Sequence, residues 1–119
     1  MASDYVPERG DVIWLDFDPQ AGHEQAGKRP ALVLSPLAYN RKIGLALLCP
    51  ITSQVKGYPF EVKMPAGHAI GGVVLSDQVK SMDWRIRGAR FAGKAKPVLI
   101  NEVLKRVEAL LFPKNSDSE

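Results

Sequence analysis

The sequence predicts a mainly β (α+β) protein, a small and strongly bent antiparallel barrel with one α-helix at its C-terminal end. Short runs of β-branched, aromatic and apolar residues recur through the first two thirds of the chain, most of them bounded by Gly, Pro or Asp. Only the last stretch places apolar residues at helical spacing. The 119 residues, 45% hydrophobic and 24% charged with 10 Gly and 9 Pro, suit a single compact domain.

Gly10-Asp11 opens the first strand, Val12 to Phe17, and Asp18-Pro19 ends it. Residues 20–28 hold two Gly, no large apolar residue and no period, which predicts a mobile loop. Pro30 to Ser35 reads as a short buried strand, and Pro36 starts a turn or short helical segment through Asn40. Ile43 to Ile51 is a third strand, apolar enough for the core. Residues 52–59 form a loop with turn chemistry at Gly57 and Pro59. Phe60 to Lys63 alternates, with Phe60 and Val62 inward. A Pro/Gly-rich stretch, 64–72, leads into a strand from Val73 to Val79. Residues 84–94 are poor in apolar groups, rich in Arg and Gly, and are assigned no element.

The helix is read from Val98, Leu99, Val103, Leu104, Val107, Leu110 and Leu111, which fall on one broad stripe. Pro97 suits its first turn, Glu102 and Arg106 pair at i,i+4, and Pro113 stops it. Residues 1–113 are expected to form one domain, with 114–119 as a flexible tail.

Charge is uneven along the chain. Residues 1–27 set Arg9 against six acidic residues, a net of −5. Residues 28–96 carry twelve Lys/Arg against Glu61, Asp77 and Asp83, a net of +9. A basic middle of this kind suits a polyanion-binding face, although an ordinary solvated surface shows the same composition. No apolar run approaches the roughly 20 residues that span a bilayer. The N-terminus lacks a basic region followed by an apolar stretch, and Cys49 is the only cysteine, so a reducing cytoplasm is expected.

The reactive side chains are few. His23, His68 and Cys49 stand far apart without metal-ligand spacing, so neither a bound metal nor another cofactor is expected. No Gly-rich phosphate loop precedes a helix, and no serine lies in a nucleophile elbow. A catalyst built from what remains needs a substrate that carries its own nucleophile. RNA does, because its 2′-OH attacks the adjacent phosphate when a base, an acid and cationic donors surround it. Residues 23–29, His-Glu-Gln-Ala-Gly-Lys-Arg, put two bases and two cations on one loop. Residues 52–56, Thr-Ser-Gln-Val-Lys, put two hydroxyls and a cation at the end of a core strand. Side by side, these loops hold the parts of a metal-free ribonuclease; apart, they are a solvated loop and a turn.

Several blocks decide between the two. They are Gly10 to Pro19, Glu24-Gln25-Ala26-Gly27-Lys28-Arg29-Pro30-Ala31, Pro50-Ile51-Thr52-Ser53-Gln54-Val55-Lys56-Gly57-Tyr58-Pro59-Phe60-Glu61-Val62, and Asp77-Gln78-Val79-Lys80-Ser81. In this order and spacing the chain resembles the MazF/PemK (ChpB-like) family of toxin endoribonucleases of type II toxin–antitoxin systems. The resemblance implies a small SH3-like barrel of the MazF/PemK/CcdB type, dimeric, cutting single-stranded RNA in grooves across the subunit interface. It matches the family's central pair to Arg29 and Thr52. It implies that Arg29 handles charge and proton transfer at the scissile phosphate and that Thr52 bonds a phosphate oxygen. Glu24 is the candidate base or orienter of the 2′-OH, with His23 as its rival. Lys28 and Lys56 are expected to position flanking phosphates, with Ser53 beside them. Gln25 and Gln54 suit base edges, and Gln78 and Ser81 lie where family members contact RNA. The family often has His where this chain has Lys28, and the 64–72 loop differs too, so base specificity is expected to differ.

Trp14 and Phe17 are expected to pack in the core or a dimer contact, and Cys49 to be a small apolar filler. The Arg85 to Arg90 run is expected to contact phosphates. The rival functions are a gyrase-poisoning toxin of the same barrel and a non-catalytic barrel that binds RNA or peptide. The expected partners are a second copy of the chain, single-stranded mRNA, and an antitoxin whose acidic, disordered tail folds onto the basic groove.

Overall fold

The computed structural model of the chain describes residues 4–18 and 27–114. Within them seven strands form one sheet: β1 (Asp11–Asp16), β2 (Lys28–Val33), β3 (Leu45–Thr52), β4 (Glu61–Lys63), β5 (Val73–Leu75), β6 (Lys80–Asp83) and β7 (Arg90–Lys94). Two helices complete it, α1 (Leu37–Ile43) and α2 (Pro97–Leu111). Every strand pair is antiparallel, and the path runs β4-β5-β3-β2-β1-β7, with β6 also on β3. The mainly β sheet with a C-terminal helix is as the sequence predicts.

The central strands are buried on both faces, which is why they read as near-continuous apolar runs. Val12, Leu32, Cys49 and Ile51 point to one side, where Leu99 and Val103 of α2 cover them. Ile13, Leu15, Ala31, Val33, Ala46 and Leu48 point to the other, around Phe17, Met82 and Trp84. Alternation on β1 therefore turns Trp14 outward, and it is 37% exposed while Phe17 is 2% exposed. Phe17 packs as expected and Trp14 does not belong to the core.

The helix stripe is narrower than its sequence suggests. Leu99 and Val103 are buried and Leu104 and Val107 partly so, but Val98, Leu110 and Leu111 face outward. Two fully buried aliphatic side chains stabilise the docking by about 3–5 kcal/mol. The Arg106–Glu102 pair, 3.0 Å apart and half-exposed, adds only a few tenths. Apolar burial, then, holds α2 in place.

Four boundaries differ from expectation. Strand β2 begins at Lys28 and pairs with β1 from Asp16↔Lys28 and Leu15↔Arg29 onward, so Lys28 and Arg29 stand on a strand and not in a loop. Helix α1 runs through Ile43 and ends at Gly44, whose positive φ of 82° lets its N–H bond back to the Asn40 carbonyl, so β3 starts at Leu45. The strand expected over Val73 to Val79 stops at Leu75, a 3-10 turn follows over Ser76–Gln78, and a further strand, β6, starts at Lys80 where none was expected. Buried Ser76 turns there to give both its N–H and its hydroxyl to the Phe60 carbonyl. β5 and β6 thus share one edge of β3, with the register jumping by three residues from Ile51↔Val74 to Leu48↔Lys80. Finally, residues 90–94 are a strand. β7 is held by its ladder to β1, and Phe91 packs edge-on against Tyr5, so no apolar alternation announces it.

Asn40 is fully buried and fully used. Its amide N–H groups donate to the Pro7 and Ser35 carbonyls at 2.8 and 3.0 Å, and its Oδ1 accepts from the Ser35 hydroxyl. The Leu47 N–H donates to that hydroxyl and the Trp84 indole to the Asn40 carbonyl. This closed network ties the N-terminal arm, α1, β3 and β6 together, and it satisfies every polar atom it buries. A second tie holds β7: Lys94 Nζ lies 2.8 Å from buried Asp11, whose other oxygen accepts from the Tyr5 hydroxyl and the Glu8 N–H. Desolvation and that acceptor push the Tyr5 hydroxyl far above its ordinary pKa, so it stays a donor.

Candidate active site

β2 pairs with β3 from Val33↔Leu48 to Ala31↔Pro50, and Arg29 and Thr52 lie two residues beyond that last pair, at adjoining ends of the two strands. Arg29 is exposed and Thr52 is buried. They open onto two neighbouring hollows. Arg29 and Lys28 line one with Trp14, Pro30, Ile51, Ser53, Ala69, Ile70 and Gly71. Thr52 lines the other with Gln54, Lys56, Tyr58, Glu61, Leu75, Asp77 and Gln78. Ser53, next to Thr52, is the link, because it faces the Arg29 hollow while Thr52 faces away.

Each group in the Thr52 hollow is set by a local bond. The Gln54 N–H donates to Thr52 Oγ1 at 3.1 Å, which leaves the threonine's own proton to be donated. The Glu61 carboxylate accepts the N–H groups of Lys56 and Gly57 at 2.9 and 2.8 Å and so shapes the turn that carries Lys56. The Tyr58 hydroxyl donates to Asp77 at 2.9 Å. Desolvation, with that carboxylate acceptor, pushes the Tyr58 pKa up to about 12, so it serves as a donor rather than a base. Gln78 lines the same hollow, while its side-chain oxygen is itself buried without a hydrogen-bond partner. Cys49 is no nucleophile, because burial pushes its thiol up to about 12.

The structure therefore gathers Arg29, Lys28 and Ser53 at one hollow, and Thr52, Gln54, Lys56 and Gln78 at the other. Ser81 lies on β6 opposite Leu47 of β3 and lines neither hollow. Thr52 lies five positions after Leu47 on β3, about 17 Å along an extended strand. Glu24, Gln25 and His23 fall outside the described residues. Among the described residues no group of three His, Cys, Asp or Glu side chains stands together to hold a metal ion. Two parts of the Arg85–Arg90 run are committed locally: Arg87 donates to the Asp16 and Asp18 carbonyls, and Arg85 lies over the Trp84 ring.

Sequence reasoning did not single out Tyr58, Asp77 or Glu61 for the site, nor Trp14 as a wall of it. Tyr58 and Asp77 are 19 residues apart, and only the fold brings them into contact.

A family model described as PemK-like, MazF-like toxin of type II toxin–antitoxin system matches residues 8–111. The chain is 51% identical over 111 residues to endoribonuclease toxin MazF of Escherichia coli (strain K12), covering 93% of this chain and 99% of that protein. It is 40% identical to endoribonuclease toxin ChpB of the same organism, over 87% of this chain and 93% of that one. Its fold matches the crystal structure of MazF from Deinococcus radiodurans with a TM-score of 0.88 and 54% identity, over 91% of this chain and 98% of that one. A MazE–MazF structure from the same organism matches at 0.83 and 46%, over 93% and 100%.

Proposed function

The chain belongs to the family of PemK-like, MazF-like toxins of type II toxin–antitoxin systems, and from that premise we propose that it is an endoribonuclease cutting single-stranded mRNA without metal or ribosome. The observation that supports the reading is the β2–β3 pairing, which carries Arg29 and the Thr52-Ser53 pair to adjoining strand ends beside two hollows.

In this reading the substrate's 2′-oxygen attacks the adjacent phosphorus and the P–O5′ bond breaks. The products are a 2′,3′-cyclic phosphate and a 5′-OH. Arg29 stabilises the charge gathering on the non-bridging oxygens and relays a proton from water to the leaving 5′-oxygen, staying cationic throughout, since a guanidinium does not deprotonate readily. Thr52, oriented by the Gln54 N–H, donates to one of those oxygens. Glu24 takes or orients the 2′-OH proton, with His23 as the other candidate. Lys28, Ser53 and Lys56 hold the phosphates on either side. Gln25 or Gln54 reads base edges, and Gln78 contacts the RNA from the Thr52 hollow. Ser81, farther along the sheet, reaches a more distant nucleotide.

The partners follow from the same surface. The exposed Tyr39, Ile43 and Leu47 form an apolar area suited to a second copy, so the working unit is a homodimer. An antitoxin is the second partner, as MazE is found with MazF in the Deinococcus radiodurans structure, and its acidic, disordered tail occupies the basic face in place of RNA. No helix among the described residues is long and apolar enough to cross a membrane. With a lone buried thiol, the cytoplasm is the proposed compartment, and residues 1–113 form the single working domain.

Purified protein in excess EDTA is expected to cut varied single-stranded RNAs and to leave 2′,3′-cyclic phosphate and 5′-OH ends, identified by end-labelling and mass spectrometry. A folded protein that cuts none of them, or one that EDTA silences, would remove this mechanism.

A further inference from the structure

The stretch between β4 and β5 is pinned at an unexpected place. His68 Nδ1 accepts the Ile70 N–H at 2.9 Å, and its Nε2 lies 3.0 Å from the Lys94 carbonyl. Since Nδ1 is the acceptor, the ring proton sits on Nε2 and is given to that carbonyl. The ring also lies against Gly93: a Cβ there would come within 3.3 Å of His68 Cε1. One imidazole thus spans two elements, the 64–72 loop and β7. The residues that follow it, Ala69, Ile70 and Gly71, are a wall of the hollow that holds Arg29, Lys28 and Trp14. Ile70 also packs on the core beneath α2, so the wall is seated from below and clamped from the side.

We propose that His68 is a positioning residue, which by clamping the 64–72 loop to Lys94 fixes the wall of the Arg29 hollow and so sets which base is accepted beside the scissile phosphate. The inference rests on the ribonuclease reading above and deepens it. Trp14 supplies an exposed aromatic surface in this hollow, and the backbone of 69–71 bounds the space left for a base. Shifting that wall changes the fit of the base without moving Arg29, which stands on the β2 ladder. The effect therefore belongs in binding and selectivity and not in the bond-breaking step.

The test compares wild type, His68→Ala and His68→Gln on a set of short single-stranded RNAs varied at the nucleotides flanking the cut. His68→Ala is expected to raise KM about tenfold, the worth of one to two net hydrogen bonds, to keep kcat within about twofold, and to relax base preference at one flanking position. The Ile70 amide, losing its acceptor, is expected to exchange faster with solvent. His68→Gln keeps a donor for the Lys94 carbonyl and is expected to recover part of the KM and the preference. Unchanged KM and preference in His68→Ala, beside an active wild type, would overturn the role of His68 alone. So would kcat and melting temperature falling together, or an Ile70 amide that exchanges as before. Absence of cleavage by wild type would overturn the ribonuclease reading with it.

Discussion

Replacing Arg29 with Ala is expected to lower RNA cleavage by about 10²- to 10³-fold, the usual cost of removing one charge-stabilising donor from a transition state. The substitution separates chemistry from folding unusually well. Arg29 is exposed and its backbone pairs with Leu15 of β1, so truncating it leaves no cavity, and the loss of its exposed polar contacts costs at most about 1 kcal/mol. Wild-type and variant melting curves should therefore nearly superimpose while their cleavage rates diverge. Arg29→Lys keeps the charge but loses the planar fork that bonds two oxygens at once, and it should fall between the two. The measurement is single-turnover cleavage under saturating enzyme, where binding defects do not contribute. If Arg29→Ala cleaves at more than a tenth of the wild-type rate, the guanidinium is not in the chemical step. The β2–β3 junction would then be a binding surface.

Gly72→Ala should act in the opposite way, through the fold and then the site. Gly72 has a φ of +103°, and a Cβ built on it would stand 2.1 Å from the Thr52 carbonyl oxygen and 2.8 Å from its carbon. Neither atom is a flexible side-chain tip. Both belong to the strand that pairs Thr52 with Val73. Left-handed backbone costs a side-chain-bearing residue about 1–2 kcal/mol and forced overpacking about 1–3 more, so roughly 3–4 kcal/mol is expected to be lost. Because relief requires the Thr52 backbone to move, the surviving folded protein should also cleave at least about tenfold more slowly, as a misplacement of about 1 Å can cost still more. Gly71→Ala is the control for stability: its φ is not positive and nothing lies within 4 Å of its Cβ position. Urea melts of the two variants check the first claim. A Gly72→Ala protein as stable as Gly71→Ala would show that the loop does not bear on Thr52.

What could be read from residues alone depended on what holds each element. β1 and α2 were legible because their own side chains carry the burial pattern. β7 was not, since Arg90 to Lys94 is held by main-chain pairing to β1 and leaves mostly exposed side chains. The break within 73–79 was hidden as well, because Val73 to Ser76 are all buried and the turn depends on where the distant Phe60 carbonyl lies. At the site, Thr-Ser-Gln-Val-Lys and the cations before Pro30 stood out, but two loops in a sequence do not say that they meet. The resemblance to the toxin family singled out Arg29 and Thr52, and only the β2–β3 register brings the ends of their two strands side by side. Tyr58, Asp77 and Glu61 meet only through folding, and their separations in sequence match no motif.

The shared edge of β3 also means that its two halves are held in different ways. Its first half is bound to β6, α1 and the closed Asn40 network. Its second half, which ends at Thr52, has on that edge only β5, itself backed by β4, and each of those strands is three residues long. That second half is nonetheless the more deeply buried one, with Cys49 and Ile51 in the core that α2 covers, so apolar burial more than strand pairing holds the reactive end in place.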